Sequence, residues 1–166
     1  MKKLGIFILI ILLGALVACA PSSSETRNED FRLTISVDKT RANMKDIIEM
    51  TAILENLSGE DIRIKTINIE STSLSDIFFM ALYPGMHDVG LSQQEDGPSN
   101  ELIIGSNEIV RNTQMLSIER WNEFWDGNFV QHNQIRAGIE VNFYMGEDFT
   151  ERIILIPRAI SIRIRG

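Results

Sequence analysis

The 166-residue sequence predicts an all-β fold, a single antiparallel β-sandwich. Three features carry that prediction. Apolar and polar residues alternate over several short stretches, the period of strands with one buried face. Gly, Pro, Asn and Asp stand between those stretches at the spacing of turns. Only residues 117–129 have the apolar spacing of a helix.

The chain opens on a different pattern. Lys2 and Lys3 precede fourteen uncharged residues, Leu4 to Val17. As a helix this run is about 21 Å long, short of the ~30 Å hydrocarbon core of a bilayer. It reads as the hydrophobic region of a secretory signal. The run ends in Leu16-Val17-Ala18-Cys19, and Cys19 is the only cysteine. This tetrapeptide resembles the lipobox of bacterial lipoproteins. In that family the cysteine thiol receives a diacylglyceryl group as a thioether, and a peptidase cuts just before it. The resemblance implies a signal peptide over residues 1–18 and a lipid on Cys19. It also implies a place on the extracytoplasmic face of the cell membrane, in a bacterial envelope. Two acyl chains, at about 0.8 kcal/mol per buried methylene, hold such a protein stably in one leaflet. Lipidation also gives a role to a cysteine that has no partner for an internal disulfide.

Residues 19–30 continue with "APSSSETRNED" after the cysteine, polar and without apolar periodicity, and read as a flexible tether. The folded domain is expected over 31–166, a normal single-domain length. All 23 acidic residues follow Cys19, as do fourteen of the sixteen Lys and Arg, so the mature chain has a formal charge of −9. That charge argues against nucleic acid as a partner, because phosphate contacts need clustered Lys and Arg.

Within the domain, Leu33, Ile35 and Val37 alternate with Arg32, Thr34 and Ser36 as a first strand. Residues 38–45 are polar and turn-like. Ile48, Met50, Ala52 and Leu54 form a second strand, which stops at Asn56-Leu57-Ser58-Gly59. A third strand is expected over 62–69, with a bulge near Thr66 where the apolar phase shifts by one. Ile77 to Tyr83 is a near-continuous apolar run, an interior strand ending at Pro84-Gly85. Residues 84–101 are polar and read as a surface loop. Strands follow over 108–115 and over 138–145, where Ile139, Val141, Phe143 and Met145 share one face and Glu140, Asn142 and Tyr144 the other. After a turn at Gly146-Glu147-Asp148, a strand returns over 149–156. Pro157 interrupts it, and Ile160, Ile162 and Ile164 mark the last strand.

The stretch "LTISVDKTRANMKDIIEMTAILENLSGEDI", residues 33–62, resembles the opening of bacterial immunoglobulin-like domains, where a strand ending "L-x-N-x-S-G" is common. Here Met44-Lys45 stands where a Gly is usual before Asp46. The resemblance implies an immunoglobulin-like sandwich of the kind used as adhesion, spacer or inhibitor modules.

Candidate chemistry is sparse. His87 and Asp88 lie near Glu95, Asp96 and Glu101, but the spacing matches neither an EF-hand nor a zinc signature, so no metal and no cofactor is expected. His132 stands apart from them. No nucleophile elbow appears, and the chain is not expected to be an enzyme. The most distinctive internal segment is "SIERWNEFWDGNF". Ile118, Trp121 and Trp125 lie at i, i+3 and i+7, with Phe124 beside Trp125 and Ser117 placed to cap a short helix. Either Trp121 and Trp125 both pack into the core, or one is exposed as a platform for a glycan or protein. The expected function is a membrane-anchored, non-catalytic binding module for an envelope protein or polysaccharide. The alternative is a protease-inhibitor-like or accessory subunit acting through the 84–101 loop. Oligomeric state is not legible.

Overall fold

A computed structural model describes residues 22–67, 73–85, 100–131 and 133–165. The proposed signal peptide, Cys19, both histidines, and residues 86–99 of the expected loop lie outside the described residues.

The fold is all-β, built of two open sheets. The first has the order β1-β2-β4-β8, from β1 (Ser22–Arg27), β2 (Phe31–Val37), β4 (Ile47–Asn56) and β8 (Ile109–Ser117). All three of its pairings are antiparallel. The second is organised around the twelve-residue β9 (Gln134–Met145). One side of β9 pairs with β5 (Ile62–Thr66) and then β6 (Phe78–Pro84). The other side pairs with β10 (Glu151–Leu155) and then β11 (Ile160–Arg165). The short strands β7 (Glu101–Ile104) and β3 (Arg41–Asn43) form its edges, β3 lying parallel to β11.

Alternation explains the packing. In β2 every second residue is buried, Phe31, Leu33, Ile35 and Val37, and β4 answers with Ile48, Met50, Ala52 and Leu54. These side chains share one core with Ile135, Ala137, Ile139, Val141 and Phe143 of β9. Phe31 meets Phe143 edge to face, with ring centroids 5.3 Å apart, so the two sheets face one another across this core.

Three expectations need correction. Residues 22–27 are not a tether: Ser22–Arg27 pairs along its whole length with β2. Its side chains are polar and only alternately half-buried, so the strand is held by backbone pairing that no apolar pattern announces. The expected bulge at Thr66 is a strand end. Thr66 faces Phe143 and Phe78 faces Val141, so β5 and β6 pair with β9 on either side of Asn142. A 3₁₀ turn, Leu74–Ile77, capped reciprocally by Ser73 and Asp76, leads into β6. Finally, the polar face of β9 is not solvated. Glu140 and Asn142 are buried; Asn142 donates to Glu140 Oε1 at 2.9 Å and accepts from Arg152 Nε at 3.1 Å. A true bulge lies elsewhere. Leu155 faces Val141 and Ile160 faces Ala137, so four residues around Pro157 oppose three of β9.

The two ends of the domain differ. At one, Asn56 ties the 57–60 and 105–108 turns together. Its amide nitrogen donates to the carbonyls of Glu60 (2.7 Å), Ile104 (3.2 Å) and Gly105 (3.0 Å). Its amide oxygen accepts from the backbone N–H of Ser58 at 3.0 Å and from the Ser58 hydroxyl at 2.7 Å. Gly59, at φ +80°, supplies the left-handed residue of that turn. Nearby, Glu55 accepts from Arg32, Nε at 2.9 Å, and this hydrogen bond with its charge holds the guanidinium above its ordinary pKa. The other end carries the 44–46 turn and the helical segment described next.

Candidate binding surface

Helix α1 (Ile118–Phe124) follows β8 directly. Ser117 caps it as the sequence predicts, its hydroxyl accepting from the Arg120 N–H at 3.4 Å, while the Ile118 N–H donates to the Asp46 carbonyl at 3.2 Å. The helix closes when Gly127, at φ +78°, donates to the Asn122 carbonyl at 2.7 Å, a Schellman-type stop. The Asn122 side chain accepts from the Phe129 N–H at 3.0 Å and so fixes the following turn α2 (Asn128–Gln131).

Helical geometry sorts the aromatic residues. Ile118 is fully buried, and Trp121 and Trp125, on the same stripe, are half-buried against the core. The Trp125 indole N–H donates to the Leu82 carbonyl of β6 at 2.9 Å, which locks that ring. Phe124 points about 120° away from Ile118 around the helix, and it is 70% exposed. Its ring stands edge-on to both tryptophans, at 5.5 Å from Trp121 and 5.3 Å from Trp125. The exposed aromatic of this segment is therefore Phe124, a position not singled out by the periodicity because it lies off the apolar stripe.

Met115, Ser117, Arg120, Trp121 and Phe124 line an open groove of about 290 Å³. Met115 is 63% exposed on its rim. The groove thus joins an apolar wall, two aromatic rings and one cation, a lining suited to an apolar or ring-bearing group with a polar edge. A second depression of about 260 Å³ is polar, lined by Thr40, Arg41, Gln134, Ser161 and Arg163. It brings two arginines side by side across the β3–β11 pair.

Among the described residues no three His, Cys, Asp or Glu side chains converge as metal ligands would, and no helix is long and apolar enough to cross a membrane. No protein family matches the chain's sequence, and no curated protein matches it.

Proposed function

We propose that the chain is a lipid-anchored extracytoplasmic binding module with an immunoglobulin-like domain. The domain reading is supported by strand order. In that fold one sheet holds strands A, B and E and the other C, F and G. Here β2-β4-β8 takes the first set, and β5/β6, β9 and β10/β11 take the second. The observation that carries the binding role is Phe124, held largely in solvent by two tryptophans that are themselves fixed to the core. An exposed aromatic on a rigid support offers stacking area at little entropic cost.

The anchor rests on Cys19 and the apolar run before it. Changing Cys19 to Ala is expected to abolish both acyl labelling and membrane fractionation; unchanged fractionation would overturn the anchor. The binding role is tested on the same chain by titrating a panel of envelope oligosaccharides against tryptophan fluorescence, with pull-down from envelope fractions as the protein arm. Phe124→Ala is expected to weaken whichever capture is seen by roughly tenfold. Capture that is indifferent to Phe124→Ala and to Trp121→Ala would remove the groove from consideration.

A further inference from the structure

Among the described residues strand β8, nine residues long, pairs only with β4 and is one edge of the four-stranded sheet, β1 being the other. The Ile118 N–H donates to the Asp46 carbonyl, and the Asn56 N–H donates to the Glu108 carbonyl. Backbone pairing with β4 therefore falls on the even-numbered residues from 108 to 118, in the register that sets Ile47 opposite Ser117. The odd-numbered residues, Ile109, Arg111, Thr113, Met115 and Ser117, turn their N–H and C=O groups away from β4. Their side chains lie on the outer face, where Ile109 is 61% and Met115 63% exposed. Among the described residues no proline, bulge or inward-pointing charge guards this edge; the 3₁₀ turn meets β8 through the inward-facing Asn112, whose amide donates to the Ser75 carbonyl at 2.8 Å, and β3 and β7 are protected by their shortness.

We propose that β8 pairs with β8 of a second copy, antiparallel about a two-fold axis at Thr113, to make one eight-stranded sheet. Only this register matches all five outward-facing residues. It sets Thr113 against Thr113 of the second copy, Arg111 against Met115, and Ile109 against Ser117. The outer-face rows that result are complementary. The Thr51–Thr113 hydroxyl pair, 2.9 Å apart, continues across the axis into a row of four threonines. Arg111 reaches across Met115 of the second copy to its Glu49, about 9.6 Å away between Cα atoms. Arg111 makes no ion pair among the described residues of its own chain. Ile109 lies over Ser117 of the second copy, between its exposed Met115 and Ile47, which is 47% exposed. Three otherwise solvated apolar side chains per chain are covered in this way. Ile109 also closes the β8 side of the second copy's groove, so each groove is bounded by both chains.

The test needs no ligand, so its failure is separate from failure of the binding role. Full-length chains carrying Thr113→Cys are treated in whole cells with a short bifunctional thiol reagent, with the unsubstituted chain as control for Cys19. Facing Thr113 positions stand about 5.5 Å apart between Cα atoms. Ile109 positions stand eight residues apart along the pair, about 27 Å. Thr113→Cys is expected to give a cross-linked dimer, and Ile109→Cys, the control for random collision, is expected to give none. Adding Arg111→Glu to Thr113→Cys should lower the yield roughly fivefold, and adding Glu49→Arg as well should restore it. No dimer from Thr113→Cys, equal yields at both positions, or no rescue by the charge swap would each overturn the pairing.

Discussion

Replacing Asn56 with Asp is expected to destabilise the domain by about 3–5 kcal/mol at neutral pH, although the two side chains have nearly the same shape. Asn56 is 2% exposed and its amide nitrogen faces three carbonyl oxygens. A carboxylate there has no hydrogen to offer and sets its own charge against those oxygens. Protonation restores one donor, so folding raises the carboxyl's pKa above its unfolded value of about 3.9. The folded form then holds the proton more tightly, and stability falls as pH rises from about 3.9 to the folded-state pKa. The deficit in urea midpoint should therefore be smallest near pH ~4 and reach a plateau at higher pH. A variant with wild-type midpoints across that range would show that Asn56 does not hold the two turns.

The second large effect is expected at Phe143. Truncation to Ala removes a fully buried ring from the plane between the sheets, at about 3–5 kcal/mol. Set against a typical domain stability of about 5–15 kcal/mol, that removes a large share of it. Because Phe31 meets it from the opposite sheet at 5.3 Å, Phe31→Leu and Phe143→Leu should couple by about 0.5–1.5 kcal/mol in a double-mutant cycle. Additive losses would mean that the pair contributes only its separate burial.

The contrast between these residues shows what was legible in the sequence. β2, β4, β8 and β11 bury one face, so their period-two pattern is local and readable. Ser117 is a local signal too, a cap directly before the helix. Strands β1, β3 and β7 carry no readable pattern, because one is wholly polar and the others are three and four residues long. The second buried face of β9 was hidden because it contains Glu140 and Asn142, whose burial depends on what covers them. Asn56 read as a turn residue, but its bonds to Ile104 and Gly105 span 48 and 49 residues and have no local trace. For the candidate site, the sequence located the aromatic segment and missed which ring is presented. That choice turns on angles around a helix of seven residues.

The pairing of β1 from Ser22 onward has a consequence for where the domain can stand. Only Ala20 and Pro21 separate Ser22 from Cys19, a covalent reach of at most about 11 Å. Ser22 lies opposite Val37, and Val37 opposite Met50, toward the end of β4 that meets α1. Met50 is the fourth of the ten residues of β4, so from this level the strand runs about 10 Å to Ile47 and about 20 Å to Asn56. With Cys19 as the proposed anchor, the domain cannot swing freely above the bilayer as a balloon on a string. It is held with β1, the edge of its sheet remote from β8, close to the headgroups. The β8 edge, three strands away, is then left clear of the attachment point.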